Sequence, residues 1–166
     1  MDVTVVYPHQ LFAEHPSLQT GRPVALIEDP LFFGTDPQWP MQVHRQRLLL
    51  HRCSMSVYAE ALRGRGFSVL EQRHHQASDT QGHLQALLNM GYKRFHLADP
   101  VDDLLNKRLH RFAERNGCSL EIGATPMLLT PDSVINEHFC SGRKPLMAKF
   151  YEMQRKRLNV LLEEHG

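Results

Sequence analysis

Polar side chains that could bind a small molecule follow the first two strand-like segments of this chain. His9 and Gln10 come directly after the first apolar run, and Glu28 ends the second one. A pocket usually combines a few polar groups with apolar or aromatic walls. Phe32 and Phe33, which follow Glu28 closely, could supply such a wall for a planar ligand.

A long helix, predicted between about Gln42 and Arg65, adds further candidates. Its inward-facing stripe at helical spacing consists of Leu48, Met55, Ala59 and Leu62. Toward the N-terminus the same stripe passes through His51 or Arg52 and then His44. The helix begins near the carboxyl ends of the strands. We therefore expect its polar half to border a crevice that holds a planar polar ligand.

Each of these candidates also has a purely structural interpretation. Glu28 can form an ion pair with Arg45 or Arg52 at the rim of the sheet. His44 can lie in solvent in the first helical turn, and His51 can be a hydrogen-bonded core histidine. The other candidates can be core residues or loop anchors: Phe32, Phe33, Trp39 and Met55.

No pattern in the sequence predicts a catalytic residue or a metal ligand. Serine, histidine and aspartate are not spaced as a nucleophilic set. The cysteines Cys53, Cys118 and Cys140 are widely separated and odd in number, which favours free thiols. The glycine-rich phosphate loops GxGxxG and GxxxxGK[ST] do not follow the first strand, so a dinucleotide or P-loop enzyme is disfavoured.

Composition indicates an ordinary globular domain. The 166 residues are 42% hydrophobic and 22% charged, with a formal net charge of +1. This balance does not favour nucleic-acid binding by the chain alone. Apolar runs are too short for a membrane span, and the N-terminus lacks a signal-peptide pattern, so we expect a cytoplasmic protein.

Five short apolar runs alternate with helical patterns along the chain. The predicted strands are Val3–Tyr7, Pro23–Glu28, Phe67–Glu71, Arg94–Ala98 and Ser119–Ile122. The predicted helices are Gln42–Arg65, a segment from Asp79 or Thr80 to Met90, and Val101–Asn116. Helical crossovers between strands predict an α/β, Rossmann-like, doubly wound five-stranded parallel sheet with helices on both faces. Ligands of such sheets lie beyond the carboxyl ends of the strands, where the strand order reverses.

The last segment of the sequence, residues 144–166, is typical of a basic amphipathic helix. Its apolar face carries Leu146, Phe150, Met153 and Leu161 at helical spacing. It can pack back on the domain or connect it to a second domain. The predicted organisation is an α/β domain at residues 1–143 followed by a connector helix at residues 144–166.

Four segments, taken in order, resemble one known family. They are YPHQL at Tyr7–Leu11, IEDPLFF at Ile27–Phe33, VHRQRLLLHRCSMSVYAEALRGRGFSV at Val43–Val69, and KPLMAKFYEMQRKRLNVLL at Lys144–Leu162. Together they look like the N-terminal domain of the deoxyribodipyrimidine photolyase-related proteins. This is the group of iron–sulfur bacterial cryptochromes and prokaryotic (6-4) photolyases. The resemblance covers nearly the whole chain.

The resemblance implies a division of labour between two domains. The N-terminal α/β domain of that family holds an antenna chromophore, a ribityllumazine. A larger helical C-terminal domain holds FAD, the iron–sulfur cluster and the surface that binds damaged DNA. The chain would then harvest blue light for the FAD of its own C-terminal domain in a DNA-repair photolyase or cryptochrome photoreceptor. It would not be catalytic alone.

Carried over residue by residue, the resemblance also implies a chromophore pocket. Its lining would be His9, Gln10, Leu11, Ile27, Glu28, Phe32, His44, Leu48, His51 and Met55. His9 and Phe32 stand where better-known members carry acidic residues. A different chromophore, a pocket re-paired through His51 and Glu28, and an empty pocket therefore stay open. The alternatives to an antenna domain are a stand-alone Rossmann-like nucleotide-binding or signalling module and a structural interaction domain with an empty crevice.

Overall fold

A computed structural model describes residues 1–139 and 146–162 of the chain. Its strands are β1 (Asp2–Val6), β2 (Val24–Ile27), β3 (Val69–Gln72), β4 (Arg94–Ala98) and β5 (Ser119–Gly123). Its helices are α1 (Pro30–Phe33), α2 (Arg45–Gly64), α3 (Thr80–Asn89), α4 (Asp103–Asn116), α5 (Asp132–His138) and α6 (Met147–Leu158). The chain divides into two compact units, residues 1–127 and residues 128–166.

The sheet of the first unit is five-stranded and parallel throughout. Its strand order is β3-β2-β1-β4-β5, so the direction of winding reverses between β1 and β4. This arrangement confirms the predicted Rossmann-like α/β fold. The carboxyl ends of β1 and β4 therefore define the switch point at which ligands of such sheets commonly bind.

The two faces of the sheet bury different cores because side chains alternate along each strand. On one face α3 and α4 cover a core that includes Tyr7, directly after β1, and the strand residues Val3, Val5, Ala25, Ile27, Phe95 and Leu97. On the other face α2 packs Met55, Ala59 and Leu62 against Val6, Val24 and Leu26. The continuous apolar runs of β1 and β2 follow from this burial on both faces.

A short helix that the sequence patterns did not predict, α1, follows β2. Asp29 caps it by accepting a hydrogen bond from the Leu31 backbone N–H at 2.9 Å, and Pro30 fits its first position. Gly34 ends it with φ of 76°, and a Cβ atom there would collide with the Met41 carbonyl oxygen. The helix thereby directs Phe33 to the α2 side of the sheet and leaves Phe32 nearer to β1.

A buried ion pair fixes the segment that follows α1. Arg108 of α4 donates from Nη2 to Asp36 Oδ1 at 3.0 Å, and both side chains are almost fully buried. Asp36 also accepts hydrogen bonds from the backbone N–H groups of Gln38 and Trp39. Removing either charged partner of such a pair leaves the other buried and uncompensated.

The second unit contains α5 and α6. The rings of His138, Phe139 and Phe150 pack against one another at centroid distances of 4.8 to 5.1 Å. Gln154 donates to Thr130 Oγ1 at 2.7 Å. The predicted C-terminal helix is present but shorter, at Met147–Leu158. Asn159 ends it with φ of 53°, so Leu161 lies beyond the helix and not on its apolar face as predicted. Residues 144–145 and 163–166 of that prediction, and Cys140, lie outside the described residues. Within residues 1–139 and 146–162, no helix is both long and apolar enough to cross a membrane.

Candidate functional site

Glu28, at the carboxyl end of β2, is the buried centre of an ionic cluster. Arg52 of α2 donates to both of its oxygens, from Nε at 3.1 Å and from Nη2 at 3.0 Å. Arg73 donates from Nη1 at 2.8 Å, and the His74 backbone N–H donates at 3.2 Å. Burial alone would raise the pKa of Glu28, but these hydrogen bonds lower it to about 2.

The cluster confirms the structural interpretation of Glu28 as a partner of Arg52 and adds two partners. Arg73 and His74 come directly after β3, which lies beside β2 in the sheet. His74 Nδ1 lies 3.1 Å from Glu28 Oε2 and 3.0 Å from Arg52 Nη2. An arginine only donates and a carboxylate only accepts, so this nitrogen can hydrogen-bond one of them at a time. Because Glu28 already accepts from these neighbours, it has little capacity left for a ligand.

The switch point between β1 and β4 is closed by the protein's own side chains. Gln10 is fully buried, and its Nε2 donates to the carbonyls of Ala98 at 2.9 Å and Asp99 at 3.2 Å. His9 Nε2 lies 3.0 Å from the Pro100 carbonyl. Because a carbonyl only accepts, His9 must carry its proton on Nε2. The buried His9 Nδ1 and Gln10 Oε1 have no hydrogen-bond partner among the described residues.

Aromatic packing completes this closure. The rings of His9 and Phe32 lie 4.6 Å apart, and Tyr7 contacts both at 6.3 Å. Burial lowers the pKa of His9, so its imidazole is neutral at pH 7. The crevice predicted from the strand order is therefore filled by residues that were expected to line it.

An open cleft of about 300 Å³ lies instead beside α2 and is lined in part by Phe33. Its lining residues are Phe33, Thr35, Leu48, Leu49, Arg52 and His74. The His74 ring is stacked on Phe33 with a centroid distance of 4.9 Å and an angle of 6° between the planes. Apolar walls with a few polar groups at this volume, near the lower end of ligand pockets, suit one small planar molecule.

A second open cleft, of about 350 Å³, lies beyond His74. Its lining residues are Thr35, Pro37, His74, His75, Ala77 and Ser78. His74 and Thr35 belong to both clefts, so the His74 ring forms part of the wall between them. His74 thus borders two cavities, and His75 borders the second.

The predicted site residues are distributed over four environments. His9, Gln10 and Phe32 close the switch point, and Glu28 centres the ionic cluster. Leu48 lines the open cleft. The others are in the core or at the surface: Ile27 is buried on the α3–α4 face, Met55 is buried beneath α2, Leu11 packs against the core beneath α2, and His44 is an exposed N-cap.

His51 is half-buried beside the cleft and is not a core residue. Arg47 Nε donates to His51 Nε2 at 3.4 Å, and the His51 ring lies 6.0 Å from Phe33. Burial, and secondarily the charge of Arg47, lower the pKa of His51. The imidazole is therefore neutral at pH 7, and its Nε2 accepts a hydrogen bond from Arg47.

Sequence patterns missed three lining residues of the cleft: Thr35, Leu49 and His74. Leu49 follows Leu48 directly, so the apolar run of α2 carried a signal for it. Thr35 and His74 follow different strands, and only the adjacency of β2 and β3 brings them together. Over residues 1–139 and 146–162, no three histidine, cysteine or acidic side chains are grouped so that they could hold a metal ion.

Comparison of the sequence with known proteins places the chain in one protein family. The sequence model of the deoxyribodipyrimidine photo-lyase-related proteins matches residues 4–166 of the chain. An uncharacterized protein of Acanthamoeba polyphaga mimivirus is 22% identical over 177 residues. That similarity covers 98% of this chain and 85% of the viral protein.

Proposed function

Because the chain belongs to the deoxyribodipyrimidine photo-lyase-related protein family, we propose that it binds an antenna chromophore and harvests blue light for a flavin. The observation that carries the proposal is the open cleft beside α2. It combines the Phe33 ring with two leucine side chains, with the donor Arg52 and with the imidazole of His74. These groups suit a planar heterocycle with several hydrogen-bond acceptors.

A ribityllumazine fits the chemistry of this cleft better than that of the switch point. Its ring presents carbonyl and ring-nitrogen acceptors, which Arg52 and the Thr35 hydroxyl can meet as donors. At the switch point, Gln10 Nε2 is already committed to Ala98 and Asp99. We therefore move the proposed chromophore position from the His9–Gln10 crevice to the cleft lined by Leu48 and Leu49.

The chain's own residues would hold and orient the chromophore without reacting with it. Phe33 is buried and fixed by His74, which gives the slot one rigid wall. The Glu28 pair fixes the Arg52 guanidinium in a bidentate geometry, so little side-chain freedom is lost when it donates to a ligand. When bound, the chromophore would absorb blue light and pass its excitation on.

The remaining parts of the proposal concern partners of this domain. A flavin domain of the same protein would hold FAD and an iron–sulfur cluster and would bind damaged DNA. The whole protein would then act as a photolyase or as a cryptochrome-type photoreceptor. The family relation supports this photolyase-related role.

A stand-alone binding module is the second candidate, and the comparison with the viral protein favours it. Because the similarity spans 85% of that protein, little of its length remains for a second large domain. An exposed apolar stripe on α2, formed by Leu50, Cys53 and Val57, would suit an interaction role. Such a module would bind a ligand or partner without a flavin domain.

Fluorescence titration of the chain with a ribityllumazine tests the chromophore proposal. We expect saturable binding that Leu49→Asp weakens at least tenfold, because a carboxylate would replace part of the apolar wall. Val57→Asp is the matched control on the same helix, since Leu49 is 63% exposed and Val57 65% exposed. Equal loss in both variants, or no binding by a chain whose circular dichroism is native, would count against the cleft as the chromophore site.

A further inference from the structure

We propose that the cleft beside α2 selects a planar ligand that carries a phosphate ester over the same ring without one. The inference rests on the proposed function, because it specifies the class of chromophore that the cleft takes. It starts from the charges around the cleft and from their spacing on α2.

Two arginines flank the apolar wall of the cleft on one helix face. Arg45, Leu48, Leu49 and Arg52 are spaced i, i+3, i+4 and i+7, so they share one stripe of α2. Leu48, Leu49 and Arg52 line the cleft. Arg45 lies one turn before the leucines, at the end where α2 begins. A ring placed on the leucines would have a cation at each end.

The positive charge around this stripe is only partly cancelled by the carboxylates of the described residues. Among the residues that line the cleft, none is acidic. Glu28 is buried and shared by Arg52 and Arg73, and Glu71 is shared by Arg63 and Arg73. The cluster thus holds more guanidinium groups than carboxylates, and an anion on the ligand would complete the charge balance.

Arg52 and Arg45 have donors to spare for such an anion. Arg52 uses Nε and Nη2 for Glu28, which leaves Nη1 outside these bonds, and its side chain is 45% exposed. Arg45 is exposed and forms no ion pair with the residues that the structure describes. Guanidinium groups bind phosphate oxygens well because their paired N–H groups match two oxygens at once.

A pair of ligands that differ only by the phosphate isolates this effect. Riboflavin and FMN share the isoalloxazine ring and the ribityl chain, and both are fluorescent. We expect FMN to bind at least tenfold more tightly than riboflavin, which corresponds to about 1.4 kcal/mol. Excess inorganic phosphate should weaken FMN binding and leave riboflavin binding unchanged.

Substitutions test whether the preference for FMN depends on the arginines of the α2 stripe. Arg45→Gln should reduce the ratio of the FMN and riboflavin affinities toward one while riboflavin binds as before. Arg111→Gln, on the exposed surface of α4, is the control and should keep the ratio. Raising the salt concentration should reduce the ratio for the wild-type chain, because exposed charges are screened.

The outcomes separate this inference from the proposed function. If a ribityllumazine or riboflavin binds but FMN has no advantage, the phosphate preference is wrong and the chromophore site stands. If FMN is preferred and Arg45→Gln keeps the full preference, the phosphate does not lie on the Arg45 stripe and the inference is overturned. If neither flavin nor ribityllumazine binds to the folded chain, both proposals fail together.

Discussion

Two buried aspartates, Asp29 and Asp36, should respond to neutralisation in opposite directions. Both side chains are fully buried, and both residues belong to the segment of sequence that connects β2 to α2. Asp29 Oδ1 accepts a hydrogen bond from the Leu31 N–H, while its Oδ2 has no hydrogen-bond partner among the described residues. Asp36 by contrast accepts two hydrogen bonds from Arg108. Only Asp36 is hydrogen-bonded by a charged side chain.

The expected magnitudes follow from these partners. Burial raises the pKa of Asp29 from 3.8 to about 6. A rise of this size corresponds to a cost of about 3 kcal/mol once the group is ionised in the folded protein. The hydrogen bonds from Arg108 lower the pKa of Asp36. Asp36→Asn would leave the buried Arg108 charge unpaired, at a cost of about 3–5 kcal/mol.

The sign of the pH dependence distinguishes Asp29 from an ordinary carboxylate. Between pH 3.8 and about 6 the folded chain binds a proton at Asp29 that the unfolded chain has already lost. Its contribution to stability is therefore present at low pH and is lost as the pH rises toward 6. Asn keeps the acceptor for the Leu31 N–H, so Asp29→Asn should remove this loss without removing the cap.

Urea unfolding at pH 4 and pH 8 checks the prediction. We expect Asp29→Asn to be near neutral at pH 4 and to stabilise the chain by about 1–3 kcal/mol at pH 8. Asp36→Asn should destabilise it at pH 8, with an unchanged m-value as the sign of a native fold. A stability difference between wild type and Asp29→Asn that is the same at both pH values would refute the reasoning.

Three further perturbations test the cluster, a buried histidine and the turn after α1. Glu28→Gln should destabilise the chain by about 1–2 kcal/mol in urea unfolding, because Arg52 and Arg73 lose their carboxylate partner but stay partly solvated. A loss of stability no larger than that of Glu71→Gln would contradict the central role of Glu28. Burial lowers the pKa of His83 to about 4, so the folded chain keeps this imidazole neutral at pH values where the unfolded chain protonates it. The chain should therefore lose up to about 3 kcal/mol of stability as the pH falls from 6.5 to 4. Proton NMR titration of the His83 ring checks this, and an ordinary midpoint near 6.5 would exclude it. Gly34→Ala should destabilise the chain by about 2–3 kcal/mol in thermal unfolding, because the added Cβ would collide with the Met41 carbonyl oxygen. Gly66 also has a positive φ, of 85°, but open space around it, so Gly66→Ala should cost only about 1 kcal/mol. Equal costs for the two substitutions would show that the contact with Met41 does not matter.

The fold was predictable from sequence because its signals are local. The apolar runs of β1 and β2 are long enough to indicate strands buried on both faces, and the helix pattern of α2 extends over many turns. Helix α1 was not predictable in this way, since four residues are too few for a periodic pattern. Its Asp29-Pro30 start directly follows the predicted strand Pro23–Glu28, and an aspartate before proline is the local signal of a helix cap.

The candidate site was only partly predictable because its residues meet through strand order. Leu48 was found from the stripe of α2, and Glu28 from its place at the end of β2. His74 was not found, since its contact with Phe33 depends on β3 lying next to β2. The hydrogen bonds of the Gln10 amide were also not predictable, because the sequence does not specify which backbone carbonyls the Gln10 Nε2 will reach.

The closure of the switch point by Gln10 and His9 has a consequence for where binding can occur in this fold. Both side chains donate across the gap between β1 and β4, and opening it would leave the carbonyls of Ala98 and Pro100 without these donors. The cleft beside α2 needs no such rearrangement, because Glu28 holds Arg52 and His74 stacks on Phe33 without any ligand. A ligand therefore costs less to accommodate beside α2 than at the switch point. The ionic cluster that removes Glu28 from the binding groups is also what prepares Arg52 for binding.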